Sequence, residues 1–254
     1  MIVIPEDRIR EMKAKGWWGD RTLDDLFLAH VAAHPDAEAL VDPLNAADVV
    51  GGQPDRLTWR ETAYAVDRLA AVLVAHGIRK DQIVVIQLPN IAELSIAYLA
   101  CQRLGVIASP APVQYRESEL AYIIERTDAV AAITADRIGK KFHGEMIVAL
   151  KDRCPTLKTV FVLGETCPAG GVDLAPLMDG VTGKQHRAAV KAAKDARITA
   201  DDIVTLCWTS GTEAQPKGVP RSHNEWIIMG AGVIDAADLE PGARLLNPFP
   251  MVNM

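Results

Sequence analysis

Apolar residues recur at helical spacing in several stretches of the chain, and the clearest of these carries its own start and stop signals. Val66 and Leu69 belong to an apolar face with a helical period. Thr58 precedes this face and Glu61 follows Thr58 by three residues, which is the arrangement of a helical capping box. Gly77 marks the end of the pattern. We therefore predict a helix between Thr58 and Gly77.

Two further stretches carry similar signals at their starts. Thr22 precedes a run with helical spacing that stops before Pro35, and acidic residues occupy its first turn, near the positive end of a helix. Ser222 and Glu225 form a second S/T-x-x-E capping box ahead of another apolar stretch. His223, inside that box, is a candidate general base, but we favour a structural role in which it holds loop to helix.

Short apolar runs alternate with predicted helices through the middle of the chain. The runs, each predicted to be a strand, lie at residues 81–88, 106–108, 129–134, 157–163 and 202–208. Helices are predicted at residues 92–104 and 118–127. This rhythm predicts an α/β fold in which a parallel-rich sheet is covered by helices. Residues 164–199 shift to Gly, Pro, Ala and Lys, and we predict a surface excursion with one short basic helix there.

Composition narrows the possible partners and surroundings. A chain of 254 residues with 49% hydrophobic residues is suited to one large domain or two small ones. The net charge of −6 disfavours nucleic acid or an anionic membrane as the main partner. No stretch reaches the ~20 apolar residues that a membrane helix needs, and the charged start is unlike a signal peptide. The four cysteines lack metal-site spacing, so we expect free thiols in a reducing cytoplasm.

The stretch TLCWTSGTEAQPKGVPRSHNEW runs from an apolar strand into hydroxyl residues and glycine. The hydroxyls of Thr209, Ser210 and Thr212 can donate hydrogen bonds to an anion. Gly211 allows the backbone to approach closely, and successive backbone N–H groups can form an anion-binding concavity. Lys217 adds a positive charge that can reach back to the same place. These features predict a phosphate-binding loop.

The Walker A loop of P-loop nucleotide hydrolases is one alternative. Gly211 and Lys217 have the separation of the pattern G-x-x-x-x-G-K-S/T. However, Pro216 stands at the second glycine, and Gly218 stands where the Mg²⁺-binding hydroxyl belongs. Because proline has no N–H to donate, we consider this alternative remote.

The order Thr-Ser-Gly-Thr, three variable residues, then Pro-Lys-Gly-Val resembles the phosphate loop of the adenylate-forming superfamily. That superfamily contains acyl-CoA synthetases, aryl-acid adenylating enzymes, peptide-synthetase adenylation domains and luciferases. Three other stretches are similar in the same order, namely LTWRETAYAVDRLAAVLVAHGIRKDQIVVIQLPN, LACQRLGVIASPAP and ITADDIVTLCWTSGT. The resemblance covers nearly the whole chain. It implies that residues 1–254 are the front part of the large N-terminal, AMP-binding domain of such an enzyme.

The resemblance also implies a reaction. A substrate carboxylate attacks the α-phosphorus of ATP to form an acyl-adenylate, and a thiol such as coenzyme A then takes the acyl group. By resemblance, the binding residues for the β and γ phosphates are Thr209, Ser210, Gly211, Thr212 and Lys217, and Mg²⁺ would bridge the phosphates. The protein's contribution would be positioning and neutralisation of charge.

The loop departs from the family pattern at two positions. Glu213 and Ala214 stand where the pattern has a second threonine and a glycine. We count Glu213 among the loop residues and expect its carboxylate to turn outward to solvent, with contact to the metal as the alternative. These departures motivate a second hypothesis, in which the chain is a non-catalytic remnant that binds a nucleotide or a partner.

The last residues, NPFPMVNM, resemble the start of the family's acyl-pocket motif. Asn253 stands where a histidine or an aromatic residue often follows proline by three, so we assign Asn253 to substrate binding. The family's acidic metal motif and its catalytic lysine have no match in the chain. We therefore assign no catalytic residue and no metal ligand, and expect the front portion of an enzyme, inactive by itself.

The sequence also carries indications of the substrate and the surroundings. The start of the chain and Asn253 favour an aromatic, alicyclic or medium-chain acid as substrate. The acceptor thiol, coenzyme A or a carrier protein, stays open. We further expect a cytoplasmic protein, with a homodimer as one of the states open to it.

Overall fold

The computed structural model of the chain describes residues 1–209 and 215–252. Within them the helices are α1 (Glu6–Ala14), α2 (Leu23–Ala33), α3 (Ala46–Val50), α4 (Trp59–Ala75), α5 (Ala92–Leu104), α6 (Glu117–Thr127), α7 (His143–Ala149), α8 (Leu174–Asp179), α9 (Gly183–Ala196) and α10 (His223–Ala236). The strands are β1 (Glu38–Val41), β2 (Arg56–Thr58), β3 (Ile83–Gln87), β4 (Ile107–Pro110), β5 (Ala131–Ala135), β6 (Thr159–Leu163), β7 (Val172–Asp173), β8 (Ile203–Trp208) and β9 (Gly218–Ser222).

A mostly parallel sheet organises the chain. Its seven strands lie in the order β7-β6-β5-β3-β4-β8-β9, and β1 pairs with β2 in a small separate sheet. The pairs from β7 across to β8 are parallel, whereas β9, at one edge, is antiparallel to β8. The predicted α/β class with a parallel-rich sheet is confirmed.

Strand β3 shows why its sequence is an unbroken apolar run. Val84 and Ile86 belong to the core formed with α4 and α5, whereas Val85 belongs to the core formed with α6 and α7. Successive side chains of a strand point to opposite faces, so a strand covered on both faces carries apolar residues at successive positions. All three side chains are fully buried. The sheet is therefore the middle layer of three.

The predicted helix starts are confirmed by their hydrogen bonds. The Oγ1 atom of Thr58 accepts a hydrogen bond from the backbone N–H of Glu61, and Glu61 bonds back to the N–H of Thr58. Thr22 and Ser222 form capping boxes in the same way at the starts of α2 and α10. Such caps satisfy N–H groups that would otherwise lack a partner at the helix terminus.

Residues 164–199 differ from the single short helix predicted for them. They contain β7, which extends the edge of the main sheet, and two helices, α8 and α9. Leu174 and Ala189 are buried against the core beneath α4 and α5, while most other residues of α9 are exposed. The structure also contains β1, β2, β9, α3 and α7, which the sequence pattern did not predict.

The topology marks one edge of the sheet for ligand binding. Helix α5 follows β3 and helix α7 follows β5, and the two helices lie on opposite faces of the sheet. The connections that leave the neighbouring strands β3 and β5 therefore diverge, which creates a crevice at their carboxyl ends. Within residues 1–209 and 215–252, no helix is both long enough and apolar enough to cross a membrane.

Candidate functional site

The predicted phosphate loop is the connection of a β-hairpin. Strand β8 runs parallel to β4 and is followed, after the loop, by β9 in the antiparallel direction. The backbone N–H of Thr209 donates to the carbonyl of Lys217 at 3.0 Å, and the N–H of Lys217 reaches the Oγ1 atom of Thr209 at 3.4 Å. Thr209 and Lys217 thus face each other at the base of the loop. The Lys217 side chain is exposed.

The other predicted loop residues cannot be placed in the same way. Ser210, Gly211, Thr212 and Glu213 lie outside the described residues, and so does Ala214. The assignments of these residues to phosphate binding stay predictions. The direction of the Glu213 carboxylate likewise stays a prediction.

The hairpin separates this loop from a Walker A loop. In the Walker arrangement the loop leads from a strand directly into a helix. Here it leads into β9, and α10 begins only after Ser222. Pro220 lies within β9, at the edge of the sheet, where a missing ladder N–H is tolerated. Chain topology therefore supports the argument against a P-loop that Pro216 already provides.

Trp208 holds the base of the hairpin against the neighbouring parallel strand. Its indole N–H donates to the Oγ atom of Ser109, at the end of β4, at 2.8 Å. Its ring also meets Tyr122 of α6 edge to face, with ring centroids 6.2 Å apart. The position at which the loop leaves the sheet is thus set by packing on both β4 and α6.

His223 makes a structural contact, although not the one between loop and helix that we predicted. The ring is buried, and its Nδ1 atom accepts a hydrogen bond from the N–H of Leu23 at 3.1 Å. The start of α10 is thereby tied to the start of α2. Burial lowers the pKa of His223 to about 4, which keeps the ring neutral and able to accept this bond. The contact connects helix to helix rather than loop to helix.

A cavity of about 220 Å³ opens at the carboxyl edge of the sheet. We call it the edge cavity. Its lining residues are Leu88, Pro89, Asn90, Val113, Gln114, Pro248, Pro250 and Val252. Asn253, the predicted substrate-binding residue, follows the buried Val252 directly but lies outside the described residues. A site formed beyond the ends of β3 and β4 has the location that ligands favour in parallel sheets.

A buried polar pair lies in the crevice between the ends of β3 and β5. Gln87 is fully buried, and its Oε1 atom is 2.8 Å from the Nδ1 atom of His143, the first residue of α7. Burial, helped by the nearby charge of Arg116, lowers the pKa of His143 to about 4. We did not predict this pair. The polar Gln87 at the end of an apolar run is the signal that could have indicated it.

A second unpredicted group of titratable residues lies at the start of α5. The Oδ1 atom of Asp42 accepts a hydrogen bond from the N–H of Ala92 at 2.7 Å, in the manner of a helix cap. Burial, with smaller effects from Asp42 and Asp55, raises the pKa of the neighbouring Glu93 to about 7. The Asp42 bond satisfies an N–H at the start of the helix that follows β3, whereas burial disfavours the ionised form of Glu93 beside it.

The described ends of the loop fit the triphosphate that the resemblance implies. A hydroxyl at Thr209 and an ammonium group at Lys217 are donors suited to phosphate oxygens. In the described ranges, no three His, Cys, Asp or Glu side chains gather as metal ligands. We therefore assign no protein ligand to Mg²⁺, which often binds through substrate phosphates. All four cysteines are free thiols, as expected.

The mostly parallel sheet, with a cavity beyond the carboxyl ends of β3 and β4, defines an α/β protein whose candidate ligand site lies at that edge. The family model for "AMP-binding enzyme" matches residues 27–254. The chain belongs to this family, and the resemblance to adenylate-forming enzymes is confirmed.

Individual relatives agree with this membership. The medium-chain fatty-acid–CoA ligase of Escherichia coli (strain K12) is 28% identical over 88% of the chain and 37% of its own length. The 2,3-dihydroxybenzoate-AMP ligase of Bacillus subtilis (strain 168) is 26% identical over 98% of the chain and 42% of its own length. The apo structure of Mycobacterium smegmatis MbtA has the same fold, with a TM-score of 0.83 at 24% identity over 98% of the chain and 43% of that chain. The chain thus spans about two fifths of the length of these proteins.

Proposed function

We propose that the chain is the front part of an ATP-dependent carboxylic acid–thiol ligase that acts through an acyl-adenylate. Membership of the AMP-binding family, with Thr209 and Lys217 facing each other at the base of the hairpin, carries this proposal. ATP with Mg²⁺ is the proposed nucleotide, and coenzyme A is the proposed acceptor. The two curated relatives named above are an acid–CoA ligase and an aryl-acid–AMP ligase, which supports this class of reaction.

The proposed role of Lys217 is to neutralise charge on the phosphates that leave as pyrophosphate. The side chain is exposed at the base of the loop, so it can reach a ligand that approaches from solvent. Thr209 would donate its hydroxyl from the facing side of the hairpin. Both residues directly flank the last pair of the β8–β9 ladder, Trp208 and Gly218, and their backbones are bonded to each other, which fixes the main chain at the base of the loop.

The edge cavity is the proposed place for the organic part of the acid. Apolar residues form most of its lining, while Asn90 and Gln114 contribute amide groups. A cavity of about 220 Å³ exceeds the ~150 Å³ that holds a benzene molecule in an engineered protein. Its size therefore suits an aromatic or alicyclic ring, or a medium-length chain. An acid of this class is the proposed substrate.

Calorimetry with Mg·ATP tests the assignment of the loop. Lys217→Ala should weaken binding of Mg·ATP about ten- to a hundredfold, since a hydrogen bond to a charged group contributes ~1.5–3 kcal/mol. Lys184→Ala, which removes an exposed lysine on α9, is the matched control and should leave binding unchanged. Equal affinities for the Lys217→Ala and unmodified proteins would reject the loop assignment.

Exchange of labelled pyrophosphate into ATP tests the reaction itself. We expect acid-dependent exchange from a full-length ligase that contains this chain, and none from residues 1–254 alone, because they span about two fifths of the length of the relatives. Exchange by the 254-residue chain at the rate of the full-length protein would contradict the second expectation. Binding of ATP without exchange by the full-length protein would instead favour the non-catalytic alternative that Glu213 and Ala214 suggest.

The cysteines of the protein bear on its surroundings. The free thiols support a cytoplasmic location, since disulfides are rare in reducing compartments. Homodimer formation stays a prediction.

A further inference from the structure

Asn90 connects the sheet to one wall of the edge cavity. It lies in the turn after β3, and its Nδ2 atom donates to the carbonyl of Phe249 at 2.7 Å. The N–H of Met251 donates in return to the Oδ1 atom of Asn90 at 2.9 Å. The side-chain amide thus bonds to two backbone groups, on residues 249 and 251, in the way that a neighbouring strand would. Both bonds fall within the segment of residues 248–252, which forms that wall.

The opposite wall is held by a second amide from the same strand end. The Nε2 atom of Gln87 donates to the carbonyls of Pro112 and Tyr115, at 2.8 and 3.1 Å. These two carbonyls flank Val113 and Gln114, which line the cavity. The Oε1 atom of Gln87 lies within hydrogen-bond distance of the His143 ring, so both ends of the amide are held. Both walls of the cavity are therefore held by side-chain amides at the end of β3.

We propose that Asn90 is a positioning residue that sets the width of the edge cavity and hence its affinity for carboxylic acids. This inference rests on the proposed function, because it takes the cavity to be the acid site. The oxygen of the amide and one of its N–H groups are engaged by the backbone of residues 249 and 251, so Asn90 acts through the segment that it holds. Val252, which is 6% exposed, is the cavity residue next to that clamp.

Hydrogen exchange at Met251 reports on the clamp directly. Asn90→Ala removes the acceptor for the Met251 N–H, so exchange at that amide should rise about tenfold. Asn90→Asp keeps an acceptor but lacks the donor to Phe249. Its exchange rate at the Met251 amide should therefore lie between those of the unmodified protein and Asn90→Ala. Asn45→Ala is the matched control, because Asn45 is exposed and its side chain makes no capping bond at α3. Unchanged exchange at Met251 in Asn90→Ala would overturn the proposal.

The affinity for acids distinguishes a positioning role of Asn90 from a role in stability alone. Calorimetry with benzoate, cyclohexanecarboxylate and octanoate should identify the acid that the unmodified chain binds best. Asn90→Ala should bind that acid three- to tenfold more weakly, roughly the loss of one or two net hydrogen bonds, with an unchanged urea midpoint. Equal affinity despite faster exchange at Met251 would overturn the positioning role.

The same experiment distinguishes failure of the inference from failure of the proposed function. If the unmodified chain binds none of the three acids, the assignment of the cavity to the acid is wrong, and the positioning role falls with it. If the acid binds and Asn90→Ala changes neither exchange nor affinity, the function stands and this inference alone is wrong. A lower urea midpoint in Asn90→Ala, matched by equal losses of affinity for acid and for Mg·ATP, would indicate general destabilisation and also count against the proposal.

Discussion

Replacement of His223 by asparagine removes a buried titratable ring and keeps a hydrogen-bond acceptor near the position of its Nδ1 atom. In the unmodified protein the ring is 1% exposed and accepts the N–H of Leu23 at 3.1 Å. Burial lowers the pKa of His223 to about 4, although the charges of Asp202 and Asp25 act in the opposite direction. The asparagine variant should therefore fold with the contact between α2 and α10 retained and without this titration.

The size of the effect follows from the two pKa values. In the unfolded chain His223 takes up a proton near pH 6.5, whereas in the folded protein it does so only near pH 4. Between these values the unfolded state binds more protons, so stability is lost as the pH falls. At ~1.36 kcal/mol per pKa unit, lowering the pH from 7 to 5 should cost the unmodified protein about 2 kcal/mol through this residue.

Urea unfolding at pH 7, 6 and 5, followed by tryptophan fluorescence, measures this cost. His143, whose pKa burial also lowers to about 4, and Glu93 titrate in both proteins, so their contributions cancel in the comparison. The free energy of unfolding of the unmodified protein should fall by about 2 kcal/mol more than that of His223→Asn over this range. Parallel pH profiles for the two proteins would refute the assignment of a neutral, buried His223.

Three further predictions concern stability. Glu93→Gln should stabilise the protein at pH 8 and less so at pH 5. Burial raises the pKa of Glu93 to about 7, so the folded protein loses stability as this carboxyl ionises above its ordinary pKa. An equal gain in urea midpoint at both pH values would contradict this. Gly164→Ala should cost about 1–3 kcal/mol, because Gly164 has φ +134° and an added Cβ would lie 2.2 Å from the Oδ1 atom of Asp136. Gly19→Ala, where the added Cβ meets nothing within 4 Å, is the control, and equal thermal midpoints for the two variants would count against the argument. Thr58→Ala should cost about 1 kcal/mol through loss of the α4 cap, and an unchanged urea midpoint would show that the cap contributes nothing.

Features that depend on near neighbours in the chain could be predicted from the sequence. The capping boxes at Thr58 and Ser222 join residues three apart in the sequence. The residue pattern therefore predicts the hydrogen bonds directly. The apolar run of β3 likewise indicated a strand, and its apolar residues at successive positions suit burial on both faces of a sheet. The order of residues around Lys217 indicated the family. The capping boxes could be predicted because their interactions are local, whereas the family was indicated by resemblance to a known motif.

Contacts between distant segments were decided by the tertiary structure alone. Asn90 bonds to residues 159 and 161 positions away, and His223 bonds to Leu23, 200 positions away. Apolar periodicity shows which face of an element is buried, but it does not show which element covers that face. Residues 164–199 illustrate this limit, because their content of Gly, Pro, Ala and Lys indicated one short basic helix but neither strand β7 nor helix α8, which packs on α4. The sequence by itself therefore determined the class of fold and the family, while the pairing of β9, the edge cavity and its amide supports required the folded chain.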